Sequence, residues 1–241
     1  NGVTALRSTV AEDGTQITGN RISNIRNTFG GTGQFGNGVN VYRASGVIVS
    51  GNRITDCTYS AIRGNASSNI LITGNSCERL GEVALYAEFG FEGAVISNNI
   101  VDVAATGIAV VNFNEGGRLA VVQGNLIRNL FRREHEPVDK RGIGISVEAD
   151  TVVSGNTIEN APTFGVTIGW GRYMRNVSAT GNVIRNAKVG IGISQHVEAG
   201  ACLVAQNLIS DAIDGGIRAM DHGHVLGPDI TLEPEMLDKV K

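Results

Sequence analysis

Four residues of this 241-residue chain carry groups able to move a proton at neutral pH and fall at two adjacent phases of a repeating pattern: Glu148, His196, Asp221 and His222. Glu148, His196 and His222 each stand six places after a glycine that opens an Ile-rich segment (Gly142, Gly190 and Gly216), and Asp221 stands five places after the last of them. A carboxylate beside imidazoles is equipped for general acid–base catalysis, so these four are the candidate catalytic residues. Trp170, the only tryptophan, lies close to Arg172 and Tyr173. Aromatic faces beside polar donors suit the stacking and hydroxyl recognition of sugar rings. On that chemistry the candidate substrate-binding residues are Tyr86, Asn112, Gly144, Thr167, Trp170, Arg172, Gly192 and Arg218, with Arg133 and His135 from a nearby insertion. His222 and His224 with Asp221 lack a diagnostic metal-ligand spacing, so no metal site is read here and no cofactor is implied.

These residues need a scaffold, and the repeat supplies it. Gly-Asn-x-Ile or a near-equivalent occurs eight times, anchored on Asn20, Asn52, Asn75, Asn99, Asn125, Asn156, Asn182 and Asn207. The step is about 27 residues, within the range of a solenoid. Each period also holds a small-apolar-x-apolar unit, among them Gly2-Val3-Thr4-Ala5, Gly38-Val39-Asn40-Val41, Gly142-Ile143-Gly144-Ile145 and Gly190-Ile191-Gly192-Ile193. Between the two elements runs a third alternating stretch, such as Val47-Ile48-Val49. Val and Ile at period 2 mean strands with one buried face, and helical periodicity is absent from these stretches. A leucine-rich repeat needs a fixed leucine pattern and a helical segment, and neither is visible. The expected fold is all-β: a single-stranded, right-handed parallel β-helix of about nine rungs with three short strands per rung. Its hand follows from the preference of parallel crossovers.

In that fold equal phase means vertical stacking at about 4.8 Å per rung. The anchor asparagines are expected to form a structural ladder at a corner, in a left-handed conformation that Asn and Gly tolerate. A second polar row, Asn24, Asp56, Asn129, Asn160, Asn186 and Asp211, follows four residues later. The outward column of the small-apolar strand reads Thr4, Asn40, Arg63, Tyr86, Ala109, Gly144, Thr167, Gly192, Arg218, so a floor of small residues is expected from Ala109 to Gly192. Insertions at 26–37 and 131–141 leave the same corner, four rungs apart, where loops on a rigid scaffold concentrate function. The stretch 1–226 is expected to be the β-helix, lacking residues at its N-terminal end. Residues 227–241, interrupted by Pro228 and Pro234, are expected to cap it, with a short helix over 234–240.

Composition narrows the functional classes. A net charge of −3 and a pI near 5.8 leave no electrostatic footprint for nucleic acid. No stretch approaches the roughly 18 apolar residues of a membrane span. Cys57, Cys77 and Cys202 fall at different phases, which argues for buried thiols over a disulfide framework or metal set.

The Gly-Asn-x-Ile and Gly-Ile-x-Ile units resemble the repeat of pectate-lyase-like parallel β-helix proteins, from Gly2 to about Met220. The stretch Gly181-Asn182-Val183-Ile184-Arg185-Asn186-Ala187-Lys188-Val189-Gly190-Ile191 resembles the twin-arginine-translocated repetitive proteins of bacteria. The resemblance implies export to the periplasm or beyond, and a polysaccharide partner. The fold hosts lyases, hydrolases, epimerases and adhesins, so two functions stay open. One is a carbohydrate-active or polysaccharide-binding protein, and the other a non-catalytic structural or adhesion module. The outward strand positions hold no Asp, so the Asp cluster of pectate-lyase-like or polygalacturonase-like catalysis is not visible.

Overall fold

The computed structural model describes residues 1–28, 33–136 and 140–232. Within them the alternating Val and Ile residues form short parallel strands, three to a turn, wound into a β-helix. One face is an eight-stranded sheet running from Gln16–Thr18 to Cys202–Ala205. The other two faces join into one sixteen-stranded sheet, because the strands Thr157–Ile168 and Val183–Ser194 continue unbroken round a corner. Inside, each aliphatic residue stacks on its counterpart: Ile54, Ile72, Ile96, Ile108, Ile127, Ile145 and Ile158 are all at most 1% exposed. Cys57 and Cys77 lie in this core as free thiols, and burial pushes the Cys57 thiol up to about 11. Among the described residues no helix is long and apolar enough to cross a membrane.

The anchor asparagines are in line. Each of Asn20, Asn52, Asn75, Asn99, Asn125, Asn156 and Asn182 donates from its backbone N–H and its side-chain amide to Oδ1 of the next, at 2.9–3.0 Å. The six from Asn52 to Asn182 are at most 2% exposed. The left-handed residue is not the anchor, as expected, but the one before it: Gly51 has φ 63°, Gly124 65°, and Asn98 and Gln206 both 56°. The second polar row is itself left-handed, Asn129 at φ 58° and Asn160 at 59°, and its side chains bond from rung to rung on the outside. The Cβ-free glycine therefore turns the corner, while the buried Asn neutralises the backbone groups inside it.

The face that carries the candidate site, here called the floor, has nine strands among the described residues, from Val3–Glu12 to Ile217–Asp221. Its outward column is Thr4, Asn40, Arg63, Tyr86, Ala109, Ser146, Thr167, Gly192, Arg218. Ser146 stands where Gly144 was expected. Gly144 instead occupies the tight inner corner, level with Gly107 and Gly165, because Ile143 pairs with Thr106 and Phe164. A Cβ there would lie 2.3 Å from the Gly165 carbonyl and 2.7 Å from Cγ2 of Ile158. Gly144→Ala is expected to destabilise the protein by about 3 kcal/mol through overpacking against backbone. Gly155→Ala, at φ 62° with open space around it, is expected to cost only about 1 kcal/mol. Denaturant midpoints of the two variants check this, and equal losses would refute the register.

The last floor strand, Ile217–Asp221, pairs antiparallel with His224–Asp229, and a 3-10 turn follows at Ile230–Leu232. The Asp229 carboxylate accepts from the N–H groups of Gly216 and Ile217, and Arg218 donates to the carbonyls of Asp214 and Gly227. The terminal rung thus has its exposed edge paired, as a solenoid end requires. The helix expected over 234–240 lies outside the described residues.

Candidate active site

The two-residue change of register moves Glu148. It stacks below Glu88 and Val111 and above Gly169 and Ser194, since Ala87, Val110, Val147, Ile168 and Ile193 pair in sequence. His196 and His222 fall two places further along their strands, so the expected line of Glu148, His196 and His222 does not form. His196 lies off the floor, its Nδ1 accepting from the Glu198 N–H at 3.1 Å. Asp221 pairs with His222 at 2.7 Å, and the His222 ring stands edge-on to Trp170 with centroids 5.5 Å apart.

What forms around Glu148 is a cleft of about 320 Å³, whose lining includes Tyr86, Asn112, Arg141, Ser146, Glu148, Trp170 and Tyr173. The short 3-10 turn Phe113–Glu115, entered through Asn112 at φ 74°, is an excursion from the rung above. It turns the Phe113 N–H onto Oε2 of Glu148 at 2.6 Å. Phe113 meets Tyr173 edge-on, with ring centroids 6.4 Å apart. Glu148 is 8% exposed and pairs with no cation among the described residues. Burial therefore raises its carboxyl to about 7, against the pull of the Phe113 and Asn112 amides. A carboxylic acid that holds its proton close to neutrality beside open space is a proton donor and acceptor for bound ligand.

The floor is shorter than expected. Thr167 is 1% exposed and donates to the Ser146 hydroxyl at 2.9 Å. A Cβ on Gly192 would meet the Phe164 ring at 2.7 Å and the Met220 sulfur at 2.9 Å. Phe164 and Met220, with Ile143, Val189 and Val225, form a small apolar cluster over that end of the floor. Thr167 and Gly192 are thus covered, and Arg218 is engaged by the terminal hairpin. Arg172 pairs with Glu198 at 3.5 Å and is 58% exposed.

Beyond Trp170 a second cleft, of about 280 Å³, shares Arg141, Ile143 and Trp170 with the first. Its lining holds Arg132, Lys140, Arg141, Lys188, His222 and His224 and, among the described residues, no carboxylate. The acids that pair with these cations, such as Glu82 with Arg141 at 3.1 Å and Asp214 with Lys188 at 3.3 Å, stand outside it.

The insertions meet between the rungs. Arg133 and Arg141 of the second reach Glu82, at 3.7 and 3.1 Å. Gly33 of the first accepts from Nη1 of Arg63 at 2.6 Å, and a Cβ on Gly33 would come within 3.5 Å of that same Glu82. His135 remains exposed beside Arg133, at 3.2 Å. Arg63 also pairs with Glu88 at 2.5 Å and lies against the Tyr86 ring. Sequence reasoning overlooked Ser146, Glu88 and Arg141. Aligning Ala84-Leu85-Tyr86-Ala87-Glu88 with Gly144-Ile145-Ser146-Val147-Glu148 would have found the first two. Among the described residues no group of three His, Cys, Asp or Glu is arranged to hold a metal ion.

Comparison with known proteins reaches the fold. Among solved structures, an alginate lyase from Paenibacillus sp. str. FPU-7 superposes with a TM-score of 0.50 at 15% identity, covering 77% of this chain and 75% of that one. The catalytic domain of a GH87 alpha-1,3-glucanase in complex with tetrasaccharides gives 0.48 at 14% identity, covering 85% and 47%. Among curated proteins no sequence matches. A family model described as "Right handed beta helix region" matches residues 1–127, just over half of the chain. With parallel strands wound three to a turn and an unbroken asparagine ladder, the chain belongs to the right-handed β-helix family.

Proposed function

We propose that the protein binds a polysaccharide along the floor and cleaves it with Glu148 giving its proton to the departing glycosidic oxygen as the C–O bond breaks. The sugar left behind is completed either by water adding at the anomeric carbon (hydrolysis) or by loss of a neighbouring C–H proton to form a C=C bond (elimination). One observation carries this reading: a buried carboxyl raised to about 7 at the base of an open cleft, with Tyr86, Trp170 and Tyr173 around it. Aromatic rings take the apolar faces of sugars, while Asn112 and Ser146 supply hydrogen-bonding groups for hydroxyls. The adjoining cationic cleft favours a polymer that carries carboxylates, since four permanent cations face it and no acid lines it among the described residues. The solved alginate lyase and the glucanase–tetrasaccharide complex show carbohydrate-directed proteins with similar folds. Export through a twin-arginine pathway belongs to the same proposal, supported by the resemblance of residues 181–191; cytoplasmic recovery of the protein from its native cells would count against it.

The test is incubation with acidic and neutral polysaccharides, scored for binding and for new reducing or unsaturated ends. Unsaturated ends would mean elimination, and saturated reducing ends hydrolysis. Trp170→Ala is expected to weaken binding about tenfold. No binding to any polymer of the panel would sink the proposal, and binding without new ends would reduce it to a non-catalytic module.

A further inference from the structure

Another cavity lies at the opposite end of the floor from Trp170. It encloses about 650 Å³, and Leu6, Phe35, Asn40, Tyr42, Asn65 and Phe89 line it, with Arg63 at its inner wall. By strand pairing, Tyr42 is level with Asn65, and Asn65 with Glu88. The rung of Tyr42 is four steps from that of Glu148, about 19 Å at 4.8 Å per rung. Tyr86, Arg63 and the ion pairs around Glu82 stand between the two clefts.

Three observations define what this cavity accepts. First, its chemistry is neutral. Among the described residues no carboxylate lines it, and the one guanidinium, Arg63, is matched by Glu88 at 2.5 Å. Second, polar groups wait at its wall. Among the described residues neither the Asn40 side-chain amide nor the Tyr42 hydroxyl has a hydrogen-bond partner, and Asn65 uses one N–H on Glu88 at 3.1 Å. Third, apolar side chains are held in water around it: Phe35 is 61% exposed and Phe89 39%. Amide and phenol groups interleaved with exposed rings complement a ligand that has hydroxyls on its edges, an apolar face and no charge.

We propose that this cavity is a second glycan site, non-catalytic and selective for an uncharged sugar unit, on the same face as the cationic cleft beside Glu148. The ligand class extends the carbohydrate reading above, but the site stands on its own lining and fails separately. It contains no group that moves a proton near neutrality. Its occupant is held by hydroxyl hydrogen bonds and ring stacking, and anionic units are left to the far cleft.

Trp170 is the only tryptophan and lies in the Glu148 cleft, so its fluorescence separates the two sites. Gluco-, manno- and galacto-oligosaccharides, and in parallel oligouronates, are titrated calorimetrically into the protein while Trp170 emission is followed. At least one neutral oligosaccharide is expected to bind with heat and no change in emission. Its affinity should fall at least about tenfold in Asn40→Ala/Tyr42→Ala and stay unchanged in Glu148→Gln. Phe35→Ala, a change at an exposed position, should weaken binding too, and serves if the double variant does not fold. Absence of binding by every neutral oligosaccharide, binding that survives these variants, or neutral binding that shifts Trp170 emission would overturn the proposal. Turnover lost in Glu148→Gln while neutral binding persists would uphold both sites; neutral binding with no turnover of any polymer would uphold this site and reject the catalytic one.

Discussion

Glu148→Gln is expected to reduce turnover of the cognate polysaccharide by about 10²- to 10⁴-fold while leaving binding within a fewfold, because glutamine keeps the shape but cannot donate an acidic proton. The wild-type rate is expected to fall as pH rises through about 7, where the Glu148 carboxyl loses its proton. Stability should follow the same group. Its folded value, about 7, lies above the unfolded 4.5, so between these the folded state binds the extra proton. The resulting stability is fully present below about pH 4.5 and is lost as pH rises through about 7. The linkage is on the order of 3 kcal/mol. Glu148→Gln should remove that slope. Urea unfolding at pH 5 and pH 8 checks it, and parallel pH profiles for wild type and variant would show that Glu148 is not the titrating acid.

Asn125→Ala is expected to cost on the order of 4 kcal/mol of stability. The Asn125 Oδ1 accepts from the backbone and side chain of Asn99, both at 3.0 Å, and its Nδ2 donates to the Ile96 carbonyl at 3.0 Å and to Asn156 Oδ1 at 2.9 Å. Deleting the amide strands several of these groups in a corner that water does not reach, and each buried polar group left unmade costs about 1–3 kcal/mol. Asn125→Asp should be worse at neutral pH, because an acceptor would then face the Ile96 carbonyl and Asn156 Oδ1. Asn20→Ala, at the exposed end of the ladder, should cost about 1 kcal/mol. Denaturant midpoints rank the three. A loss at Asn125 no larger than at Asn20 would mean that burial is not what makes the ladder strong.

The repeat was legible because the same few requirements recur on every rung. Buried Ile at period 2, an Asn inside the corner and a residue tolerant of positive φ before it each leave a residue-type signature. The phase after the second insertion was not legible. Gly142-Ile143-Gly144-Ile145 fits the strand pattern at two registers. The choice falls to packing, because only a residue without Cβ fits against the Gly165 carbonyl and Ile158 at the corner. That two-residue step removes Gly144 from the floor and puts Ser146 there. It also takes Glu148 out of line with His196 and His222 and into the column of Glu88.

The floor's covering was hidden for a different reason. Alternation says that Gly192 faces outward, but Phe164 and Met220 cover it through contacts among three separate rungs. In the same way Gly33, Arg133 and Arg141 gather at Glu82 across long loops with no periodicity to mark them.

The sequence by itself determined the winding, the inward and outward alternation and the ladder of asparagines, since each depends on contacts repeated at a fixed spacing. Only the tertiary structure decided which acid is buried, which clefts stay open and which charges are paired. Those depend on single, non-repeating contacts between rungs and insertions, where desolvation rather than residue type sets the chemistry.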